Sequence, residues 1–195
     1  RRGDGPGALG GADSVGPDSM GPAANRAGRR PALPSLFAQI AREHIQVDPV
    51  LWNVIYQYIG DAVIVINLTV RYYIDHNEII PKDEAGKILV FTERLVEIIK
   101  KLKHPESIPE DEKDALFRTI KEKNLKLDKI TDELFGNYVR NDLNIINLIV
   151  GNYVDPLDES EGIPAEDGRK ILEHIHSTMR FLDRLRVATS KKEGY

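Results

Sequence analysis

Apolar positions recur with helical spacing along most of the chain after residue 34. Leu36, Phe37, Ile40, Ala41, His44 and Ile45 fall on one face, which predicts a short amphipathic helix over 34–46 with Ser35 placed to cap it. Asp48-Pro49 pairs an N-cap acceptor with proline at the first helical position and opens a long run to about Asp75. That run is rich in β-branched residues, so a strand over Ala62–Val70 competes. It lacks two-residue alternation and continues unbroken from a stretch of helical period, so helix is expected. Ile80-Pro81 starts the next helix, with an apolar stripe from Ile88 to Leu102. Asp83 and Glu84 in its first turn and Lys100, Lys101, Lys103 and His104 at its end match the helix dipole. Ser107-x-x-Glu110 has the capping-box form and predicts a short charged helix at about 109–121. Another long helix is expected from about Asp128 to Val154, stopped by Asp155-Pro156, and a last one from Pro164 to about Ala188.

The pattern occurs twice. At an offset of 80 residues, Tyr58, Ile66, Asn67, Leu68, Val70, Tyr73 and Asp75 match Tyr138, Ile146, Asn147, Leu148, Val150, Tyr153 and Asp155. After a loop three residues longer in the second copy, Ile80-Pro81 meets Ile163-Pro164 and Lys87-Ile88-Leu89 meets Lys170-Ile171-Leu172. One helical hairpin cannot bury its apolar stripe alone; two facing each other can. The expected fold is therefore all-α, a duplicated helical hairpin forming a four-helix-bundle-like core. Repeat 1 is read at about 48–104, a connector helix at about 109–121 and repeat 2 at about 128–188. The helix at 34–46 is an extra element that docks on the bundle or reaches a partner.

Composition changes the picture at one end. Residues 1–34 hold eight of the fifteen glycines and five of the eleven prolines, with five arginines, three aspartates and almost no large apolar residue. Such a segment cannot offset its ordering entropy, so residues 1–33 are expected to form a disordered tail and 34–195 the helical domain. With no cysteine, disulfides, thiol nucleophiles and cysteine-ligated metals are excluded. The net charge is −4, which disfavours a general nucleic-acid surface. The longest uninterrupted apolar run, Ala62–Ile66, is far short of a membrane span. The expected location is the cytoplasm, with an organelle matrix the alternative if the arginine-rich start is the remnant of a transit peptide.

Candidate chemistry is sparse. Asn67 and Asn147 sit in the most apolar helical stretches, where single asparagines can fix register; both are expected to be buried and hydrogen-bonded. Asp75 and Asp155 end their helices as turn or cap residues. Glu173-x-x-His176 has the spacing of a di-iron helix motif, but the second such pair a ferritin-like site needs is missing. Arg71-x-x-x-x-His76 resembles the Arg-x4-His motif of HEPN-type ribonucleases, helical bundles that act as dimers. The resemblance implies His76 in acid–base chemistry and Arg71 on phosphate charge; Tyr72 stands where the family usually has a polar residue. The second copy carries Gly151 and Pro156 at these positions.

The leading expectation is a non-enzymatic interaction or assembly subunit of a larger protein complex. It would bind protein partners, or itself, through Leu36, Phe37, Ile40 and Ile45, a stripe of the helix-in-groove form. The alternatives are a HEPN-like ribonuclease using Arg71 and His76, and a small-molecule or metal-binding bundle. No cofactor and no metal ligand is assigned.

Overall fold

The structure is a computed structural model in which residues 33–189 are described. The expected tail, 1–33, lies outside them except for Leu33, which opens the first helix. The chain is all-α. Its helices are α1 (Leu33–Arg42), α2 (Pro49–Asp75), α3 (Lys82–Lys103), α4 (Ala115–Glu122), α5 (129–154) and α6 (Ala165–Thr189). A 3-10 turn at Pro105–Ser107 and two short strands, β1 (Ile80–Pro81) and β2 (Gly162–Ile163), complete the described elements.

Local sequence accounts for the boundaries. The Asp48 carboxylate accepts from the Val50 amide at 2.8 Å, and Asp128 accepts from Ile130 and Thr131 at 2.9 and 3.1 Å, so one short polar residue starts each long helix. Both long helices widen into a π turn one turn later, at Ile55–Gly60 and Phe135–Val139. The short helices end alike. His44 and Asn124 take positive φ of 52° and 48°. Beyond them the Ile45 amide reaches the Ile40 carbonyl at 3.1 Å and the Leu125 amide the Ile120 carbonyl at 2.9 Å, a Schellman closure in both places. Ala62–Val70 is helical throughout, as its period required.

Packing crosses between the halves. The most extensive helix contacts are α3 against α5 and α2 against α6, so each long helix lies against the third helix of the other half. The short helices cross as well, α1 onto the start of α5 and onto α6, α4 onto the start of α2. One continuous apolar core results, from Phe37 and Ile40 through Ile55, Ile66 and Leu95 to Phe135, Ile146 and Leu185. β1 and β2 pair antiparallel with Ile80 opposite Ile163 and Pro81 opposite Gly162. Gly162 holds φ 150°, and a Cβ there would strike the Ile80 carbonyl oxygen, so the bridge requires glycine. An ion network also recurs at matched positions. Lys87 reaches Glu84 at 2.6 Å, and burial and the Glu84 charge raise the pKa of Tyr73; Lys170 reaches Asp167 at 2.7 Å while the Tyr153 hydroxyl donates to Asp167.

Three expectations need correction. The helix expected at 109–121 starts only at Ala115, capped by Asp114, whose carboxylate accepts from the Leu116 amide at 2.8 Å. The capping box is unused because the Ser107 hydroxyl bonds back to the His104 carbonyl, and Lys101–Glu112 and Lys121–Glu110 pairs hold the intervening segment across the helix ends. Neither 34–46 nor this helix is an accessory. Leu36-Phe37-x-x-Ile40 stands at the same offset of 80 from Leu116-Phe117-x-x-Ile120, so α1 and α4 hold matching places in front of α2 and α5. Finally, the run Ala62–Ile66 understated α2. Over its 27 residues α2 is long and apolar enough to cross a membrane by length and composition, with a mean hydropathy of 1.4 in its most apolar window. That apolarity is divided: Leu51, Val54, Ile55, Ile59, Val63, Ile66 and Val70 fill the bundle core, and a second stripe faces outward.

Candidate functional site

The residues expected to bind a partner form no free stripe. Phe37 and Ile40 are buried, with the Phe37 ring 5.7 Å from that of Phe181, and Ile45 is half-buried against the same core. The Leu36 side chain lies outside the described residues. The physical reason is the short connection at Gln46-Val47, which folds α1 back onto the bundle and spends its apolar face there.

Arg71 and His76 sit at the exposed end of α2, each engaged with its own helix. Arg71 Nε lies 3.2 Å from Asp75 Oδ2, and His76 Nδ1 lies 2.6 Å from the Tyr72 carbonyl oxygen with its ring 4.6 Å from the Tyr72 ring. Asp155 forms the turn expected of it, its carboxylate accepting from the Leu157 amide at 2.8 Å. Glu173 and His176 are exposed, and among the described residues no group of three or more His, Asp or Glu is placed to hold a metal. The two asparagines part company. Asn147 is half-buried and its side-chain oxygen accepts from Thr92 Oγ1, whereas Asn67 is buried with an amide nitrogen that has no hydrogen-bond partner.

What the structure does assemble is an apolar outer face on the first half. Ile64, Val65, Leu68 and Tyr72 recur at helical spacing along α2 and all are exposed, Leu68 at 63% and Tyr72 at 56%. Beside them a groove of about 220 Å³ runs between α2 and α3, lined by Ala62, Val65, Phe91 and Leu95, with Asp61 and Arg94 at its edge. Val90, 64% exposed, adjoins Phe91 in sequence on α3.

Three of the groove's matched positions in the second half are polar, whereas Val65 meets Ile145 and Leu68 meets Leu148. Ala62, Phe91 and Leu95 correspond to Asp142, His174 and Thr178. Asp142 is only 7% exposed; His174 Nδ1 lies 2.9 Å from its Oδ1, and the Thr178 hydroxyl donates to Oδ2 at 3.5 Å. These groups resemble a catalytic set in composition only. The threonine hydroxyl donates to the carboxylate at the 3.5 Å limit of a hydrogen bond, not to the imidazole, so the imidazole is not placed to activate it as a nucleophile. The arrangement satisfies a buried carboxylate at positions matched to three lining residues of the first half's groove.

No protein-family model, curated protein or solved structure matches the chain.

The π turns differ in the same one-sided way. Tyr56 and Gly60 in the first turn stand where the second has Gly136 and Arg140. Tyr56 fills the first site: its ring packs 5.1 Å from Trp52, and its buried hydroxyl has no hydrogen-bond partner. Burial pushes that hydroxyl's pKa up, with Arg186 opposing and Asp183 adding to the shift. At the second site Gly136 leaves room, and a pocket of about 290 Å³ opens between α3 and α5. The apolar groove and this pocket escaped sequence reasoning. The sequence signal for both is a set of positions at which the two matched segments differ, Ala62 against Asp142 and Tyr56 against Gly136 among them.

Proposed function

We propose that the chain is a non-enzymatic assembly subunit built from a duplicated three-helix unit, and that it engages a protein partner through the outer face of its first half. The observation carrying this reading is the stripe Ile64, Val65, Leu68 and Tyr72 beside the α2–α3 groove. Contiguous exposed apolar surface costs solubility and marks interaction sites in folded proteins. The grouping of these four residues on one face of one helix supports a retained surface over scattered exposure; of their matched residues, Asn144 and Asn152 are polar and Ile145 and Leu148 apolar. The duplication is supported by the recurring caps, π turns and ion network. A helix-in-groove contact fits the geometry, with the roles opposite to those read from sequence: this chain supplies the groove and the partner supplies the apolar helix.

The test pairs two exposed leucines at matched positions, Leu68 and Leu148, which are 63% and 68% exposed. Tagged chains carrying Leu68→Glu with Tyr72→Glu, or Leu148→Glu, are expressed in the native source and their co-purifying proteins quantified, with oligomeric state measured by sedimentation. The expected result is loss of the associated protein, or of self-association, with the first-half substitutions and retention with Leu148→Glu. Equal association by all three chains removes this face from consideration.

A further inference from the structure

The pocket at the second π turn has a composition that the docking reading does not use. Its lining includes Val96 and Ile99 from the α3 stripe, Lys100, Lys103 and His104 from the end of α3, and Asp132, Gly136 and Arg140 from α5. Cations at a helix C-terminus are accounted for by the dipole, so the three α3 residues alone imply nothing. Arg140 is different. It projects from the middle of the other helix, is exposed, and among the described residues has no carboxylate within ion-pair distance. Its guanidinium lies over Gly136, Nη2 being 3.5 Å from where a Cβ would stand. The single carboxylate lining the pocket, Asp132, is taken up by Lys103 at 2.9 Å. Lys100 has only a loose surface pairing with Glu97 at 3.8 Å. The pocket therefore carries net positive charge in a chain whose overall charge is −4.

The matched positions of the first half differ in composition. Trp52, Tyr56 and Gly60 replace Asp132, Gly136 and Arg140, while Asp183 and Val187 replace Lys100 and His104. The tyrosine packs against Trp52, and three of the four basic groups are gone.

We propose that this pocket binds a phosphate monoester carrying a small apolar body, with the phosphate held by Arg140 and Lys100 and the apolar part against Val96 and Ile99. A planar guanidinium offers paired donors to phosphate oxygens, and a lysine adds a point charge. The volume of about 290 Å³ takes a ring-sized group together with the phosphate.

Phenyl phosphate is the probe, with inorganic phosphate and phenol as the two partial ligands, titrated into ¹⁵N-labelled protein. Saturable amide shifts confined to residues 96–104 and 132–140 are expected, with phenyl phosphate binding more tightly than either part. Gly136→Tyr and Arg140→Gly install the first-half residues at these positions, where the fold already tolerates them. Each should weaken binding about tenfold or more, the equivalent of one lost hydrogen bond to a charged group. Shifts that do not saturate, or that are unchanged in Arg140→Gly, overturn the proposal. Inorganic phosphate binding as tightly as phenyl phosphate overturns the role of Val96 and Ile99. If Gly136→Tyr does not fold, Arg140→Gly decides alone.

Discussion

The groove between α2 and α3 and the sequence-matched positions on α5 and α6 carry different chemistry. Ala62, Phe91 and Leu95 give the groove much of its apolar lining; at the matched positions Asp142 is hydrogen-bonded to His174 and Thr178. The core positions around them agree, Ile66 with Ile146, Val70 with Val150 and Ile80 with Ile163, all buried. In a duplicated unit the core stays under the same packing constraint in both copies, because a lost methylene leaves a cavity in either. An outer position has no such constraint and follows whatever touches it. Where two copies agree inside and differ outside, the difference points to use, and under the proposed function the apolar face of the first half is the one a partner covers.

The largest expected effect tests whether the two halves are equal inside. Phe37→Ala and Phe117→Ala should each cost about 3–5 kcal/mol in chemical denaturation, since both rings are buried in the core. If Phe37→Ala costs less than about 1 kcal/mol, α1 is an appendage and the three-helix unit is wrong.

A smaller effect sharpens the contrast in the second half. Asp142→Ala alone strands His174 and Thr178 and should cost about 1–3 kcal/mol. Combining it with His174→Phe and Thr178→Leu rebuilds the first-half set and should recover most of that loss, because replacing a buried polar cluster with well-packed apolar groups is commonly near neutral. A triple variant no more stable than Asp142→Ala would mean the polar cluster holds the second half together in its own right.

The two asparagines should diverge by about 1 kcal/mol. Asn147→Ala removes the acceptor for Thr92 and is expected to destabilise, while Asn67→Leu removes an unpartnered buried amide and should be neutral or stabilising. Equal losses at both positions would show that the Asn67 side chain contributes as much as the hydrogen-bonded Asn147 does.

The smallest effect is a titration. Tyr153 and Tyr73 match, and both have raised pKa values. The Asp167 hydrogen bond, then burial, pushes Tyr153 up to about 12, whereas at Tyr73 burial leads, followed by the charge of Glu84. A raised pKa contributes stability that is present below the ordinary tyrosine value of about 10 and is lost as pH rises through about 12. Ultraviolet titration of Tyr153→Phe against the parent should remove the last-ionising tyrosine, and Asp167→Asn should bring that ionisation down. An unchanged high-pH limb in both variants contradicts the assignment.

Much of this fold is legible in residues whose chemistry acts locally. Asp48-Pro49 and Asp128 start their helices by capping, and the 3.6-residue period kept Ala62–Val70 helical despite its β-branched side chains. The crossing of the halves, the β1–β2 bridge and the π turns are not legible, because they depend on which apolar stripe meets which. Ser107-x-x-Glu110 misled because a capping pattern competes with side-chain bonds it cannot foresee, here those of Lys101 and Lys121 with Glu112 and Glu110. For the site, sequence showed apolar stripes but not their partners, so the covered stripe on α1 was read as the open one. The open stripe on α2 was hidden by the continuous apolarity of that helix, where Leu68 and Ile66 look alike until the bundle buries only one.

The most direct test of the central claim transfers the polar set of the second half to the first half. Ala62→Asp, Phe91→His and Leu95→Thr together place in α2 and α3 the residues that α5 and α6 already carry at matched positions. Partner association is then measured by quantitative co-purification, alongside the circular dichroism melting curve. The account predicts a folded, helical protein whose association falls by at least about tenfold, the equivalent of some 1.4 kcal/mol. A folded triple variant that associates as strongly as the parent would contradict it.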